Sequence, residues 1–430
     1  MYSLANDDSK TIVLLINDFN TEFGVASDKL EKFLKRKLTG IVLVDAEVRK
    51  NKLHKPITDA RFKEIVCNFN DPVSIVSALK PYKKNLLVVN SSSEKNQPFF
   101  QKVIPHISNI YVPTVKSIEL STHKDLMRDG FMKYNPTLSP KSTILTRQNY
   151  THEITKFKGY DFPLISKPTG LAASVLVKKS ESYNELVTNI TESFARIEKT
   201  YMRNRGRGEP RMIVEEFIDG EMFSVDIYVN NEGVIWCLPP VKVTTAATLG
   251  FEGYYSYKRN IEHNLSAEEI EKLNETAKAS VNALGLKNSV AHIELFKTEN
   301  GWKIIEAGPR AGGYRQDMYW VSYGIDHALN ELLVKLGYEP TIYTEIKKSS
   351  AALNIYCETE GTITSIEGFN KAKKLDGIYR LTLYAKPGDQ AILCGNGGNY
   401  IVDGVVYGDT ILDTENIMAD IRSTIQIEVK

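Results

Sequence analysis

Cysteine is scarce in this 430-residue chain: its four cysteines are Cys67, Cys237, Cys357 and Cys394. They stand far apart, which excludes the paired spacing of a zinc-type site and points to reduced, mostly buried thiols in a cytoplasmic protein. Charge of one sign is missing as well. The 54 basic and 53 acidic residues leave a net charge of +1, so no global field draws the chain to nucleic acid or to a membrane surface. No stretch approaches the run of about 18 apolar residues that a transmembrane helix needs. Met1–Lys10 lacks the basic-then-apolar pattern of a secretory leader. Internal repeats and low-complexity tracts are absent. So is the glycine-rich turn of a dinucleotide site, because Asn17-Asp18-Phe19-Asn20 follows the first apolar run. What remains is a soluble globular composition, with length enough for two or three domains.

Residues 1–110 alternate strands and helices. Apolar runs at Thr11–Asn17, Ile41–Val44, Glu64–Cys67 and Asn85–Val89 predict strands, and the spacing of Leu30, Phe33 and Leu34 predicts a helix over Asp28–Lys37. That order implies a parallel sheet covered on both faces. From 111 to 345 the pattern changes. A helix over Lys124–Met132 stops before Asn135-Pro136. Ser266 and Glu269 form a capping-box signature that opens a long helix ending near Leu284, and a further helix is expected over Tyr323–Leu336. Residues 346–430 predict strands at Ala351–Tyr356, Ile378–Leu383, Ala391–Leu393 and Tyr400–Val402, then a helix over Thr414–Ile425.

The most informative stretch runs from Ala291 to Arg315. It sets Glu294 and Glu306 on two apolar strands joined by the turn Thr298–Trp302. Side chains alternate at period two, so Val290, His292, Glu294 and Phe296 share one face. Two neighbouring carboxylates repel unless a cation lies between them, and magnesium held by carboxylates and phosphates meets that need. Arg310 and Gly312-Gly313 follow at once, offering a fixed cation and a backbone open to an anion. Upstream lie three further blocks: Ser121–Arg128, Phe162–Ser174 and Met212–Gly220. In the second, Lys167 ends an apolar strand and precedes a small-residue loop able to cradle phosphate oxygens.

In type, order and spacing these four blocks resemble the ATP-grasp enzymes, the superfamily of ATP-dependent carboxylate ligases. The resemblance implies an α/β and α+β protein in three parts. They are a Rossmann-like domain at 1–110, an ATP-grasp domain at 111–345 whose two subdomains enclose the nucleotide, and a mainly β C-terminal domain at 346–430. The last part is similar to the C-terminal domain of the L-amino-acid (dipeptide) ligases around Ile366, Lys386–Asp389 and Gly404. The implied activity is ATP-dependent amide or peptide bond formation between small molecules, amino acids above all, through an acyl phosphate with release of ADP and phosphate. The implied cofactors are ATP and magnesium, with manganese as the alternative ion. The expected partners are a small carboxylate and an amine, with neither nucleic acid nor membrane, and a homodimer is the assembly seen in many relatives.

Carried onto this sequence, the resemblance gives Lys124 and Lys167 to the nucleotide phosphates and Gly170–Ser174 to a lid. Glu215 goes to the adenine amine, and the backbone of Glu216, Phe217 and Ile218 to the purine edge. Glu294 and Glu306 go to magnesium, and Arg310 to the transferring phosphoryl group. Tyr254, Tyr255, Arg259, Gly313 and Arg315 are candidate substrate contacts. Phe251 and Tyr257 extend an aromatic wall, and Lys242 and Tyr314 are further anchors for a carboxylate. Two departures stand out. Met222 occupies the position where relatives hold ribose with a glutamate, and Gly308 replaces the asparagine that is often a third metal ligand. The basic stretch Arg203–Arg211 reads as a solvated loop near the nucleotide, and Cys394–Gly398 as a hairpin turn. A biotin carboxylase-like subunit and a catalytically degenerate ATP-binding protein remain as alternatives.

Overall fold

The computed structural model describes residues 7–51, 56–172, 174–204, 206–251, 253–261 and 263–430. Three residues or segments named above therefore lie partly outside it: Met1–Asn6 of the leader reading, Ala173 of the lid and Arg205 of the basic stretch.

The N-terminal strands form a parallel sheet in the order Phe62–Cys67, Thr39–Asp45, Ile12–Ile16, Leu86–Asn90. Both faces are buried. Val13, Leu15, Val42 and Val44 point to one core, and Leu14, Ile16, Ile41 and Leu43 to the other. The helix expected at Asp28 starts earlier, spanning Thr21–Leu34. Asn20 accepts from Glu22 N–H at its start, and Phe23 and Ala26 add a buried turn that the Leu30 pattern alone does not reveal. This helix packs against His327–Lys335, whose Ala328, Leu332 and Leu333 join the same core. The helix expected over Tyr323–Leu336 starts later, as His327–Lys335, because Tyr323 ends a separate helix, Arg315–Tyr323. Gly324 closes that first helix at φ 76, and Asp326 caps the second through Leu329 N–H.

A four-stranded antiparallel sheet follows in the order Ser142–Leu145, Met212–Glu216, Leu164–Pro168, Lys178–Ser180. The Tyr183–Asn204 helix covers it, burying Leu186, Ile190, Phe194, Ile197 and Tyr201 along one stripe. A larger sheet starts at Gly301–Gly308 and Ser289–Thr298, continues through Glu221–Val229, Val241–Thr245 and Ser256–Asn260, and ends with Ser349–Ile355, Val402–Gly408 and Ile378–Leu383. Ile235–Cys237 pairs with Glu221–Val229. The C-terminal strands thus extend the sheet that carries the two glutamates, through pairing of Arg259 with Ala352 and Asn260 with Ala351.

The Ala267–Leu284 helix begins at the Ser266–Glu269 capping box. Its Leu273, Ala277 and Val281 pack on Ala291, Ile293 and Leu295 and stiffen the glutamate-bearing strand from behind. In the tail, the strand expected at Ala391–Leu393 shrinks to Gln390–Ala391, and that expected at Tyr400–Val402 becomes Val402–Gly408. Gly361–Glu367 and Gln426–Val429 form strands without a clear alternating signal. The final helix is Ile411–Thr424, set by a Thr410–Asp413 capping box. Among the described residues, no helix is long and apolar enough to cross a membrane.

Candidate active site

A cleft of about 740 Å³ opens between the four-stranded sheet and the large sheet. Its floor is the Ser289–Thr298 strand. Ala291, Ile293 and Leu295 point into the core behind, which turns Glu294 and Phe296 into the cleft. Glu306 lies directly across from Glu294 in the ladder, and the register shifts immediately after this pair. Two carboxylates are thereby fixed side by side on rigid strands.

Cations and amides surround them. Lys124 Nζ is 3.6 Å from Glu306 Oε1 and donates to the Leu171 carbonyl at 2.7 Å. Arg310 faces both glutamates electrostatically and is held by Glu94, with Nε 2.8 Å from Glu94 Oε2. Burial pushes the Glu294 carboxyl up, but the His292 hydrogen bond and the charges of His292, Arg310 and Arg259 outweigh it and hold it at about 2. A tight cluster supports this strand face from below. Asp226, fully buried, accepts from His292 Nδ1 at 2.6 Å, from His327 Nε2 at 2.8 Å and from Gly312 N–H at 2.8 Å. His292 Nε2 in turn is 3.5 Å from Glu294 Oε1. The cluster ties the Gly312-Gly313 loop to a glutamate of the pair.

Lys167 ends the Leu164–Pro168 strand inside the cleft. Burial lowers its ammonium below the usual range, against the pull of Glu215. Glu215 itself is only 1% exposed, and its carboxylate meets Lys167 Nζ at 2.7 Å and Arg128 Nε at 2.7 Å. Burial raises Glu215 and these two cations override it, holding it at about 2. The side chain is thus paired with both cations while it still lines the cleft. Its neighbour Glu216 turns outward, while Phe217 N–H donates to the Pro163 carbonyl. Phe217, Ile218, Met222 and Tyr254 line the cleft, and Lys179 sits 4.4 Å over the Phe217 ring. Ser174 reaches the Tyr254 carbonyl at 3.1 Å, which joins the lid to this wall.

The substrate candidates separate. Tyr254 lies between the cleft above and a second cavity and lines both, whereas Tyr255 packs on Tyr356 at 4.3 Å beside the second cavity alone. Phe251 stacks on Tyr257 at 5.4 Å in the wall of that second cavity. Arg259 bonds Asn354 at 2.9 Å and lies 5.1 Å from the Tyr314 ring, within electrostatic reach of Glu294. Gly313 is exposed, with open space where a side chain would project. Arg315, expected as a carboxylate anchor, is 1% exposed instead. It donates to Ser224 and to the Gly313 carbonyl, packing beneath the loop rather than into the cleft. Lys242 is paired with Glu221, on the strand face away from Met222, as the period-two parity requires.

The basic stretch is not a solvated loop throughout: Arg207 is buried, and Arg211 bonds Asp125 at 2.9 Å. Sequence reasoning also passed over Glu94, Arg128, Asp226 and His327. Asp226 had a visible signal, a lone acid inside the apolar strand Phe223–Val229. Glu94 had none, since only folding brings it to Arg310.

Among the described residues, no group of three or more His, Cys, Asp or Glu side chains could hold a metal alone. The facing pair Glu294 and Glu306 nevertheless suits magnesium, which commonly takes one or two carboxylates and fills its octahedron with water and nucleotide phosphate.

Residues 160–317 match the ATP-grasp domain family, and residues 355–430 match the L-amino acid ligase C-terminal domain 2 family. An uncharacterised protein of Sinorhizobium fredii is 23% identical over 195 residues, covering 44% of this chain and 38% of that protein. The phosphoribosylamine–glycine ligase of Streptococcus pyogenes is 24% identical over 299 residues, covering 66% of this chain and 68% of that enzyme. The crystal structure of L-amino acid ligase from Bacillus licheniformis superposes with a TM-score of 0.77 at 15% identity, covering 98% of this chain and 99% of that one. With these matches, residues 160–317 carry an ATP-grasp domain and residues 355–430 an L-amino acid ligase C-terminal domain 2, and the chain as a whole shares the fold of the L-amino acid ligase structure.

Proposed function

We propose that this enzyme joins the carboxylate of one amino acid to the amine of another through an acyl phosphate, releasing ADP and phosphate. The observation that carries the reading is the Glu294–Glu306 pair, set in one cleft with Lys124 and Lys167 and within electrostatic reach of Arg310. A carboxylate is a poor electrophile. Phosphoryl transfer from ATP converts it into an acyl phosphate, whose phosphate then leaves as the amine attacks the carbonyl carbon. The protein's task is positioning and charge neutralisation.

In this reading Phe217 and Ile218 hold the adenine, with the backbone of Glu216. Lys167, oriented by Glu215 and Arg128, and Lys124 meet the phosphates. Gly170–Ser174 closes over them. Glu294 and Glu306 hold magnesium, which when bound neutralises charge between the nucleotide phosphates. Arg310 faces the oxygens where charge develops. Gly313, Arg259 and Tyr254 flank the acceptor. The C-terminal match supports amino acids as substrates over biotin.

The test is release of ADP and phosphate from magnesium-ATP across pooled amino acids, with mass spectrometry of the product. Release that depends on one acid–amine pair and disappears in Glu306→Ala supports the reading. ATP binding without release from any pool would refute it.

A further inference from the structure

Arg207 has no role in the assignments above, and its surroundings single it out. It comes from the basic stretch after the Tyr183–Asn204 helix, yet it is 9% exposed. Its backbone is fastened to the phosphate loop: Arg207 N–H donates to the Gly170 carbonyl at 2.9 Å, and Gly170 N–H donates to the Tyr201 hydroxyl at 2.9 Å. The close approach requires glycine, since a Cβ at Gly170 would lie 2.0 Å from the Arg207 carbonyl oxygen.

The Arg207 side chain reaches Glu94, which begins the Glu94–Asn96 turn after the fourth strand of the parallel sheet. Glu94 Oε1 holds Arg207 and Oε2 holds Arg310. Gly308 leaves the room for this, because a Cβ there would sit 3.1 Å from Glu94 Oε2. One carboxylate therefore brings together two guanidiniums, one from the loop after the Tyr183–Asn204 helix and one from the loop after the Gly301–Gly308 strand, near Lys124, which itself lies beside Glu306. Both guanidiniums share the one Glu94 carboxylate, so neither holds it alone. Moreover, Arg207 Nε is a buried donor without a partner among the described residues. A buried donor of this kind is costly unless an acceptor arrives, and a guanidinium fork fits phosphate oxygens.

We propose, resting on the ligase reading above, that Arg207 is a second catalytic cation that grips the transferring phosphoryl group together with Arg310, with Glu94 as the residue that positions both. In that step a bond forms between the substrate carboxylate oxygen and the γ-phosphorus. The bond from that phosphorus to the β–γ bridging oxygen breaks, and its electron pair leaves on ADP. No proton moves. Arg207 and Arg310 meet the non-bridging oxygens, which carry the charge throughout.

Calorimetric titration of inorganic phosphate into the full chain loaded with magnesium-ADP reads this contact without turnover. Arg207→Gln should weaken phosphate binding by about 30-fold, the range of one charge-assisted hydrogen bond, and leave ADP affinity within about twofold. Arg207→Lys, which keeps the charge and the Glu94 pair but loses the fork, should weaken phosphate by about fivefold. With an accepted substrate pair, Arg207→Gln should lower kcat on the order of 100-fold. Glu94→Gln should lower kcat with little change in the KM for ATP, and Glu94→Asp should restore part of it. Unchanged phosphate affinity in a folded Arg207→Gln protein overturns the proposal, as does a wild type that binds no phosphate at all. Phosphate binding that depends on Arg207, in a protein that turns over no acid–amine pair, would support the cation and sink the ligase reading alone.

Discussion

Replacing Glu215 with glutamine isolates the buried network under the phosphate site. The carboxylate is 1% exposed and meets Arg128 and Lys167, each at 2.7 Å. Glutamine keeps the shape but offers one acceptor and no charge, leaving two cations facing each other away from water. Breaking a buried pair in this way costs about 3–5 kcal/mol. For 430 residues unfolding together, an unfolding entropy of about 2.1 cal/mol/K per residue gives roughly 0.9 kcal/mol/K, so Tm should fall by about 3–6 °C. Glu216→Gln is the internal control. That side chain is exposed one residue further along the strand, and its Tm should stay within about 1 °C of wild type. The pH dependence has a definite sign. Glu215 is held at about 2 in the folded protein, below its ordinary value of 4.5. Its stabilisation is therefore complete above about pH 4.5 and is lost as pH falls toward 2. The gap in Tm between wild type and Glu215→Gln should be constant from pH 7 to 5 and narrow below 4.5, read by circular dichroism. An equal Tm at pH 7, or a gap that widens in acid, would show that the carboxylate does not hold these cations.

Three further substitutions address other contacts. Asp226→Asn removes the charge shared by His292 and His327 in a fully buried site and should destabilise the protein by about 3–5 kcal/mol in urea unfolding; a loss under 1 kcal/mol contradicts the hydrogen-bond assignment. Gly170→Ala drives a Cβ to 2.0 Å from the Arg207 carbonyl oxygen, so it should cost about 1–3 kcal/mol and weaken ATP binding measured by calorimetry, whereas a silent variant would mean that the loop is not fastened there. Met222→Glu places a carboxylate in the cleft opposite Phe296, and it should tighten ATP binding about tenfold if that wall faces the ribose; deoxy-ATP should gain less, and equal gains for both nucleotides would place the ribose elsewhere.

The legible parts of this protein are those in which local pattern and tertiary role coincide. The two-residue period placed Glu294 on the cleft face because the opposite face, Ala291, Ile293 and Leu295, is apolar and has a helix to pack on. The capping box at Ser266 fixed a helix start because both partners lie within one turn. The parallel sheet followed from apolar runs buried on both faces. The illegible parts depend on contacts distant in sequence. Arg315 looked like an open cation because it follows two glycines, yet the fold turns it inward to Ser224. Glu215 was placed at the adenine by resemblance alone, and its pairing with Arg128 and Lys167, which come from two other elements, had no local signal.

Both departures from the family pattern acquire a physical meaning once the chain is folded. Glycine at 308 is not simply a missing ligand, because the space above it admits the Glu94 carboxylate from the N-terminal sheet, and that carboxylate fixes Arg310. A side chain at 308 would have to share that volume, so the glycine and the distant glutamate form one solution. Met222 is different: its neighbour Glu221 is committed to Lys242 on the other strand face and does not take over that carboxylate role. The first departure makes room for a carboxylate from elsewhere in the chain, and the second leaves an apolar side chain facing the cleft. Phosphate handling should therefore tolerate the glycine, while ribose contacts should be the weaker part of nucleotide binding, which is why a glutamate at 222 is expected to strengthen it rather than disturb the site.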